Sequence, residues 1–332
     1  MRVLVTGATG FTGGHLAQDL ASRGHQVRAL VRDPARAAGL KSSPASPGGG
    51  IDLATGDMRD AASMAAALRD VEVVYNIAAL YREAGLPDDS YFAVNARAVA
   101  ALIGAASAAG ARRVVHCSTV GVHGDVGTAI ADEDAPFAPG DVYQQSKVEG
   151  ERLAREAEQR HRIEVVIARP TGIYGPGDRR LLKLFRGVRR RRFVYLGDGR
   201  ISYHLTYVED VAEGLRLCGE VAQASGRTYI IGGPETPTLT EIVDEIAAAA
   251  NVPPPAVNLP VWPVWIAGAV CEAICRPFGI EPPLYRRRVD FFTKSRAFDI
   301  TRARRELGFA PAVGMKEGVR RSLAWYREHG WL

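Results

Sequence analysis

The sequence predicts an α/β protein, a doubly wound parallel β-sheet followed by a smaller, mainly helical C-terminal domain. Three observations support this prediction. Strand and helix patterns alternate through the first half of the chain, a glycine-rich loop follows the first strand, and after Pro170 the loops lengthen and prolines accumulate. Alternating strands and helices indicate parallel strands whose crossover helices cover both faces of the sheet.

The first half of the chain supplies the elements of this sheet. Short apolar runs bounded by turn residues are typical of buried strands, and apolar residues one turn apart, as at Leu16 and Leu20, indicate helices. The predicted strands are RVLVTG, HQVRALV, IDLATGD, VEVVYNIAA, RRVVHCST, IEVVIARP and RTYIIGG. The predicted helices are GGHLAQDLASRG, Ala61–Leu68, Ser90–Ala109 and YQQSKVEGERLAREAEQRH. The segment KSSPASPGGG is predicted to be a flexible loop.

The stretch VTGATGFTGG places Gly7, Gly10 and Gly13 at three-residue intervals between a strand and a helix. A tight structural turn is the simpler interpretation. In a strand–loop–helix unit, however, Gly7 permits the turn, Gly10 admits a pyrophosphate, and Gly13 lets the helix pack closely on the strand. The N–H groups near Phe11 and Thr12 then face the anion. This context favours a Rossmann-type dinucleotide site over a structural turn.

The change of pattern at Pro170 predicts the domain boundaries. Residues 1–170, with 201–233 returning, form the expected NAD(P)-binding Rossmann domain, and 171–200 with 234–332 form the expected substrate-binding domain. A length of 332 residues fits one large or two fused domains, and 47% apolar residues can supply a large core.

Charge and cysteine content exclude several classes of protein. The formal net charge of +5 is not spread as a tract, and its main cluster is RRLLKLFRGVRRRRF, residues 179–193. Within this cluster, the run around Arg186–Arg192 is predicted to be a solvated helix face. Contact with anionic lipid or with a substrate phosphate is the alternative, and no nucleic-acid-binding motif accompanies it. The four scattered cysteines indicate neither a disulfide framework nor a metal site, and the absence of a signal peptide makes a cytoplasmic location the expectation.

The longest apolar stretch is AVNLPVWPVWIAGAVCEAIC, residues 256–275. Its two prolines and Glu272 argue against a membrane-spanning helix. A buried helix or an apolar lid is predicted, with a helix lying on a membrane surface as the alternative. Trp262, Trp265 and Ile266 line an apolar substrate pocket in one interpretation and simply pack the helix in the other.

The segment YQQSK places Tyr143 and Lys147 four residues apart, on one face of a helix. A free tyrosine has a pKa of ~10 and is a poor base near neutrality. A neighbouring ammonium favours the phenolate, and lowering the pKa by about three units requires about 4 kcal/mol. Lysine together with a cationic nicotinamide ring would supply it. An ordinary exposed Tyr/Lys pair is the alternative. The preceding strand end, HCSTVGVHG, offers the hydroxyls of Thr119 and Ser118.

The motifs TGATGFTG, GDMRD, VYNIAA, VNARAV, YQQSK and RPTGIYGPGD together resemble the extended short-chain dehydrogenase/reductase family, within the NAD-dependent epimerase/dehydratase superfamily, along most of the chain. The resemblance implies a catalytic set of Thr119, Tyr143 and Lys147, with Ser118 as the alternative hydroxyl and Asn95 in support. It also implies a cofactor site that includes Asp57, as acceptor for the adenine amino group, Met58, Ala78, Ala79 and Pro170. The implied reaction is reversible hydride transfer between an alcohol carbon and nicotinamide C4, with Tyr143 as acid and base.

The end of the second strand, VRALVRDP, bears on the cofactor. An acidic residue at the strand tip binds the ribose 2′-hydroxyl of NAD, whereas an arginine pairs with the 2′-phosphate of NADP. Arg32 is the candidate, with Arg28 or Arg36 as helpers, although Asp33 follows directly. This segment resembles the corresponding segment of NADPH-dependent dihydroflavonol reductases. NADP(H) is therefore favoured, with NAD(H) as the alternative.

Two resemblances bear on the substrate. Val120 and Gly121 stand where sugar-nucleotide dehydratases have acids, and Tyr203 stands where sugar-nucleotide enzymes typically have an arginine. The segments LTYVEDVA and FTKSRAFDITRARRELGFAP resemble the 3β-hydroxysteroid and sterol-carboxylate dehydrogenase branch. The prediction is an alcohol/ketone oxidoreductase for an apolar, steroid-like substrate. One alternative is a sugar-nucleotide 4-epimerase. A non-catalytic cofactor-sensing regulator is less favoured, because regulators of this family usually lack the Tyr/Lys pair.

Four further residues are candidate substrate contacts. They are Tyr81, His123, Tyr174 and Tyr203. His123 stands where the family often has tyrosine, and an uninvolved loop histidine is an equal alternative. The expected partners are a small-molecule substrate and a second copy of the chain, paired through the Ser90–Ala109 and Tyr143–Arg160 helices, with peripheral membrane contact as an open alternative.

Overall fold

A computed structural model describes residues 1–41, 49–83, 85–275 and 289–332. Its strands are β1 Arg2–Thr6, β2 Gln26–Val31, β3 Gly50–Thr55, β4 Val73–Asn76, β5 Arg113–Cys117, β6 Ile130–Ala131, β7 Glu164–Pro170, β8 Gly172–Tyr174, β9 Tyr195–Leu196, β10 Leu205–Tyr207, β11 Thr228–Ile231, β12 Asn258–Leu259 and β13 Ala297–Phe298. Most of the predicted loop KSSPASPGGG lies outside the described residues.

The helices complete the architecture. They are α1 Phe11–Ser22, α2 Ala38–Lys41, α3 Ala61–Ala67, α4 Asp88–Phe92, α5 Ala98–Ala108, α6 Val142–His161, α7 Leu182–Arg189, α8 Val208–Glu220, α9 Leu239–Ala250, α10 Val261–Cys275, α11 Asp290–Thr293, α12 Thr301–Leu307 and α13 Met315–Glu328. A π-helical turn, Ala93–Arg97, joins α4 to α5, and a 3₁₀ turn, Val120–His123, follows β5.

Seven strands form one parallel sheet in the order β3-β2-β1-β4-β5-β7-β11. The order reverses between β1 and β4, where Val5 is opposite Ala29 on one side and Tyr75 on the other. In sheets of this kind ligands bind at the carboxyl ends of the strands beside that switch point. The predicted doubly wound α/β fold is confirmed.

The sheet is covered on both faces because successive residues of a strand point to opposite sides. In β1, Val3 and Val5 belong to one buried cluster, which includes residues of α1 and α8. Leu4 belongs to a second buried cluster, which includes residues of α3, α5 and α6. With apolar neighbours on both faces, the central strands are continuous apolar runs rather than alternating ones.

A third buried cluster lies apart from these two. It gathers residues of α7, α9 and α13 around Phe185 and Tyr326, whose rings meet edge to face at 5.3 Å. The later segment around β13 and α12 instead packs with the first cluster, through Phe298 and Phe309. The two-domain division predicted from sequence stays a prediction.

Helix α10 corrects the sequence interpretation of residues 256–275. The helix forms, but Trp262 is 67% exposed and Ile274 is 61% exposed, so it is not the buried helix that was predicted. Trp265 and Ile266 are also exposed, and none of these side chains lines the cleft described below. A helix with apolar residues on every face is expected to be buried in a hydrophobic core. Within the described residues no such core surrounds α10.

Within the described residues, one stretch, Asp88–Ala108, is helical, long and apolar enough to cross a membrane by length and composition alone, and α10 is shorter. Its residues Val99, Leu102 and Ile103 are fully buried in the second cluster. The same length and composition are found in core helices of ordinary globular proteins.

Candidate active site

A cleft with a volume of about 640 Å³ lies at the carboxyl ends of the sheet strands. The predicted residues that line it are Gly7, Gly10, Phe11, Thr12, Gly13, Arg32, Asp57, Met58, Ala78, Ala79, Tyr81, Thr119, Tyr143, Lys147, Pro170 and Tyr203. Residues far apart in the sequence therefore meet at the switch point of the sheet.

The glycine loop packs so tightly that larger residues have no room. Gly7 has φ +69°, and a Cβ there would lie 2.7 Å from the amide nitrogen of Ala78. A Cβ on Gly13 would lie 2.3 Å from the carbonyl oxygen of Gly7. Gly10 is the N-cap of α1, and because glycine has no side chain it makes no capping bond to that helix end. Its first N–H groups are thus available to an anion, as a dinucleotide pyrophosphate requires.

Thr6, which sequence reasoning missed, ties together the strand ends beside this loop. Its hydroxyl donates to Asn76 Oδ1 at 2.8 Å. The same oxygen accepts the N–H groups of Ile77 and Ala78, each at 3.1 Å. A buried side chain with three bonds holds β1 and β4 in a fixed relation at the floor of the cleft. A threonine at a strand end carries no distinctive sequence signal.

The far end of the cleft carries three arginines, Arg32, Arg36 and Arg59. Asp57 accepts hydrogen bonds from the Arg59 guanidinium at 2.7 and 3.0 Å, and this hydrogen bonding lowers the pKa of the Asp57 carboxyl. Asp33 does not line the cleft, and its carboxylate accepts the N–H of Ala35.

Arg28 lies outside the cofactor end of the cleft. Its guanidinium donates to the carbonyl oxygens of Ala67 and Arg69, at 2.8 and 2.7 Å, so the sequence prediction of Arg28 as a helper is wrong. Arg36, the other predicted helper, does line the cleft. Arg28 lies within β2, whereas Arg36 lies in the 3₁₀ turn Pro34–Ala37, beyond the carboxyl end of that strand.

Helix α6 carries Tyr143 and Lys147. It begins at Val142 because Asp141 caps it, with its carboxylate accepting the N–H of Gln144 at 2.9 Å. Tyr143 is only 8% exposed and Lys147 only 1%. The Lys147 ammonium donates to the carbonyl oxygen of Cys117 at 2.7 Å, and burial lowers its pKa.

The environment of Tyr143 differs from the sequence expectation. Burial raises the pKa of its phenol, and the Tyr81 ring, edge to face at 4.9 Å, is a second contributor in the same direction. Arg82 and Arg180 oppose this rise. The lower pKa predicted for Tyr143 is therefore not supplied by the protein's own residues in this arrangement, because desolvation outweighs the neighbouring cations.

Two hydroxyls line the cleft at the end of β5, and their bonding differs. Thr119 Oγ1 accepts the N–H of Gly121 at 3.0 Å, which leaves its own O–H free to donate. Ser118 is buried, and its hydroxyl has no hydrogen-bond partner among the described residues. Asn95 lies nearby and links segments of the cleft wall, since its side chain bonds the backbone of Leu80 at 2.8 and 3.0 Å and Ser146 Oγ at 3.0 Å.

Two predicted substrate contacts, His123 and Tyr174, do not line the cleft. His123 is buried beneath it, with ring nitrogens near Pro136 O at 3.2 Å and the Arg169 guanidinium at 3.1 Å. Tyr174 is buried in the third cluster, edge to face with Tyr207 at 5.6 Å. Both side chains instead point into the core, His123 from the 3₁₀ turn after β5 and Tyr174 from the last residue of β8.

Three arginines that sequence reasoning missed line the substrate end of the cleft: Arg82, Arg180 and Arg296. Arg180 lies in the basic cluster 179–193 but outside the predicted helix face around Arg186–Arg192; it precedes α7 and pairs with the buried Asp178 at 2.9 Å. Residues 189–192 of that predicted face are exposed, as expected. Arg82 directly follows Tyr81, a predicted substrate contact, and this position next to a predicted site residue is the one sequence signal that could have indicated any of the three arginines.

Similarity to known proteins agrees with this geometry. The family model of the NAD dependent epimerase/dehydratase family matches residues 3–232. A 3beta-hydroxysteroid-dehydrogenase/decarboxylase isoform 1 of Arabidopsis thaliana is 29% identical over 96% of this chain and 78% of its own length. The crystal structure of gox2253 is 30% identical, with a TM-score of 0.81 over 99% of this chain and 98% of that one.

A further solved structure shows a relative with bound ligands. MoeE5 in complex with UDP-glucuronic acid and NAD is 26% identical, with a TM-score of 0.76 over 99% of this chain and 100% of that one. Since the family match covers more than half of the chain and the sheet, glycine loop and cleft agree with it, the chain belongs to the NAD-dependent epimerase/dehydratase family and is an oxidoreductase of the short-chain dehydrogenase/reductase type.

Proposed function

We propose that this protein interconverts a secondary alcohol and a ketone on a largely apolar substrate, with NADP(H) as the preferred cofactor. One observation carries the proposal: Thr119, Tyr143 and Lys147 line the same cleft as the glycine loop. A nicotinamide dinucleotide held by that loop supplies or accepts the hydride.

Each of the three residues has a role that its contacts support. The free O–H of Thr119 donates to the substrate oxygen and holds it against Tyr143. In the direction of reduction, the Tyr143 phenol gives its proton to the oxygen as charge develops there, and in oxidation it takes that proton back. The Lys147 ammonium, fixed by the Cys117 carbonyl, together with the cationic nicotinamide of a bound cofactor would favour the phenolate in this second role, because the protein's cations alone do not outweigh the desolvation of Tyr143.

Replacing Tyr143 by Phe tests the mechanism. The variant should lose about 10²- to 10⁴-fold in turnover while it keeps its affinity for NADPH, because only the acid/base group is removed. Tyr229→Phe is the matched control, since its hydroxyl contacts Glu306 away from the cleft. Turnover by Tyr143→Phe equal to that of the control would refute the mechanism, and loss of NADPH binding would show that the effect is structural.

The preference for NADP(H) rests on the charges at the adenosine end of the cleft. Arg32, Arg36 and Arg59 line it, and Asp33, the residue that would select NAD, does not. Arg32→Glu should weaken NADPH binding by about tenfold to a hundredfold and leave NADH binding nearly unchanged, because a charged hydrogen bond contributes about 1.5–3 kcal/mol. Fluorescence titration of both cofactors measures this, with Arg304→Glu on the outside as control. Equal losses for both cofactors would contradict the preference.

The apolar character of the substrate is inferred from the cleft wall. Leu181, Ile173 and Leu205 line it together with Tyr81, which is 42% exposed, and Tyr203. The similarity to a 3beta-hydroxysteroid-dehydrogenase/decarboxylase supports the same inference. A panel of ketosteroids with NADPH tests it through the change in nicotinamide absorbance.

A sugar-nucleotide 4-epimerase is the second candidate. The arginines at the substrate end favour a sugar nucleotide as ligand, as does the similarity to MoeE5, whose structure holds UDP-glucuronic acid. An epimerase restores its cofactor in every cycle. Conversion of UDP-glucuronic acid without net change in nicotinamide absorbance would therefore replace the reductase proposal.

We also propose that α10 rests on an anionic membrane surface. Its exposed Trp262 and Trp265 suit the bilayer interface, and the exposed arginines at 189–192 suit acidic headgroups. The pairing of β12 with β9 places α10 and the arginines on adjacent segments. Co-sedimentation with phosphatidylserine-containing vesicles should exceed that with pure phosphatidylcholine and fall in Trp262→Ser/Trp265→Ser, but not in Phe137→Ser. Equal sedimentation in all cases would contradict the proposal.

A homodimer through α5 and α6 is proposed as well. The two helices pack side by side, and α5 presents Ala101 and Ala108 to solvent. Analytical ultracentrifugation should give a dimer for the wild type and a monomer for Ala101→Arg. A monomeric wild type would contradict this proposal.

A further inference from the structure

The loop that leads into α7 packs directly against the beginning of α1, the helix whose first N–H groups face the proposed cofactor. A ring nitrogen of His15 lies 3.1 Å from the carbonyl oxygen of Pro176, a contact that spans 161 residues of sequence. A Cβ on Gly177 would lie 3.8 Å from Cδ2 of Phe11, the first residue of α1. The glycine loop and the substrate end of the cleft are therefore joined at this point.

Arg180 lies at this junction and lines the cleft. Its Cζ is 5.6 Å from the centre of the Phe11 ring and 5.9 Å from the centre of the Tyr81 ring. Its charge also opposes the rise in the pKa of Tyr143 that burial causes. The guanidinium thus lies between the start of α1, where a pyrophosphate would bind, and the tyrosine beside which a nicotinamide would react.

The loop holds this guanidinium in a fixed orientation. Its Nε donates to the Asp178 carboxylate at 2.9 Å, and its Nη2 donates to the carbonyl oxygen of Ile173 at 2.6 Å. Asp178 is only 1% exposed, and it also accepts the N–H groups of Arg180 and Leu181, at 3.0 and 3.2 Å. Nη1 makes no hydrogen bond within the described part of the chain. A buried carboxylate that orients an arginine in this way leaves the remaining donors available to a ligand.

A pyrophosphate at the glycine loop needs a positive charge that the loop does not carry. It brings two negative charges, whereas a helix N-terminus is equivalent to only about half a positive charge. Neither the loop nor α1, residues 7–22 together, contains lysine or arginine, and burial lowers the pKa of His15. The cation must therefore come from another segment.

The cleft lining holds seven cationic side chains against two acidic ones, and most of the cations lie elsewhere. Three are the arginines of the adenosine end, and a fourth is Lys147. Arg82 lies over the rings of Tyr81 and Tyr143, and Arg296 lies over the ring of Tyr203. Among the ring contacts of the described residues, Arg180 is the cleft cation that lies over a residue of α1.

On the basis of the cofactor site in the proposed function, we propose that Arg180 binds the pyrophosphate of the nicotinamide dinucleotide, together with the N–H groups of the glycine loop. Arginine presents paired donors that match phosphate oxygens. The pyrophosphate is common to NADH and NADPH, so this contact strengthens the binding of both, whereas Arg32 distinguishes between them. Because Asp178 anchors Arg180 in the loop before α7, the bound dinucleotide also bridges that loop and α1.

Three ligands and one pair of variants test this inference. The ligands are NADH, NADPH and ADP-ribose, which has the pyrophosphate but no nicotinamide, and their binding to the full chain is measured by calorimetry. In Arg180→Met all three should bind about tenfold to a hundredfold more weakly, as the loss of a charged hydrogen-bonded contact predicts. Arg179→Met is the matched control, because it removes the same charge from the same loop. Arg179 lies outside the cleft lining, over the Trp331 ring, and its replacement should leave all three affinities within about twofold of the wild type.

A further variant separates the ligand contact from damage to the loop. Arg180→Met leaves the buried Asp178 without its guanidinium, so Arg180→Met/Asp178→Asn removes that unpaired charge and should show the same loss of affinity. A loss that disappears in the double variant would overturn the inference, as would an equal loss in Arg179→Met or unchanged affinities in Arg180→Met.

The ligands also distinguish this inference from the proposed reaction. A loss for NADH and NADPH but not for ADP-ribose would overturn the inference, because the contact would then be to the nicotinamide riboside. Absence of binding of all three ligands to the wild type would overturn it together with the cofactor site. Binding that depends on Arg180, without reduction of any ketone, would sustain the inference and refute the proposed reaction instead.

Discussion

A single methyl group at Gly13 should separate the two functions of the glycine loop, folding and cofactor binding. In Gly13→Ala the new Cβ would lie 2.3 Å from the carbonyl oxygen and 2.7 Å from the carbonyl carbon of Gly7. Ordinary contacts of this kind are about 3.5 Å. Because both partners are backbone atoms, α1 has to move away from the loop by about 1 Å to relieve the clash, a displacement inferred from ordinary packing distances.

The cost of that movement can be estimated. Overpacking of this size costs about 1–3 kcal/mol, which for a chain of 332 residues lowers the thermal midpoint by about 1.5–4 °C. The movement also carries the first N–H groups of α1 away from the pyrophosphate, so NADPH binding should weaken by about tenfold or more. Differential scanning fluorimetry with and without NADPH measures both effects.

The neighbouring glycine provides the control. A Cβ on Gly14 would meet Ala8 O at 3.2 Å and Leu40 Cδ2 at 3.8 Å, which small shifts accommodate. Alanine is also the better helix former by about 1 kcal/mol. Gly14→Ala should therefore be neutral or stabilising and bind NADPH as the wild type does. The reasoning about the loop would be refuted if Gly13→Ala kept wild-type stability and affinity, or if Gly14→Ala were equally damaging.

Three further predictions concern the groups around the site. Thr119→Val should lower turnover by about 10²-fold or more with little change in NADPH affinity, and Ser118→Ala should lower turnover less. A larger loss of turnover in Ser118→Ala would show that Ser118 supplies the catalytic hydroxyl. Arg169→Met leaves the buried Glu151 unpaired after removal of its bond at 2.6 Å, so denaturant unfolding should show a loss of about 3–5 kcal/mol, and adding Glu151→Gln should recover part of it. Burial lowers the pKa of His116 well below its ordinary value, so the folded state holds this side chain neutral. The free energy of unfolding should therefore be highest above about pH 6.5, the pKa of an unfolded histidine, and should fall by up to about 1.4 kcal/mol for each pH unit below it. In His116→Asn the free energy of unfolding should fall less steeply with pH.

The parts of the site that the sequence predicted are those with a local signal. The glycine loop and the Tyr143–Lys147 pair each fix their geometry within one turn or one helix, so spacing alone places their side chains. The same holds for the sheet, because its strands are continuous apolar runs separated by helices, and the predicted strand at residues 228–231 completes its edge.

Other side chains depend on how distant segments meet. His123 lies in a 3₁₀ turn, where neither the period of a strand nor that of a helix tells which way a side chain points. Tyr174 ends the three-residue strand β8, which is too short to show a period, and its side chain faces the third cluster. Arg296 reaches the cleft because the backbone near β13 pairs beside Tyr203, a contact across 93 residues. No sequence pattern within either segment predicts that pairing.

The charge of the cleft also affects how quickly ligands arrive. The whole molecule carries a formal net charge of +5, and the cleft lining alone holds seven cations against two acids. Low-dielectric walls lined by one sign of charge concentrate the field at the opening, which raises the association rate of anionic ligands. At physiological salt the screening length is about 8 Å, so this steering acts near the entrance and weakens as ionic strength rises. As salt is added, the association rate constant of NADPH should therefore fall steeply, while its dissociation rate constant should change less. The charge of the cleft, rather than its contact area, sets how fast NADPH binds.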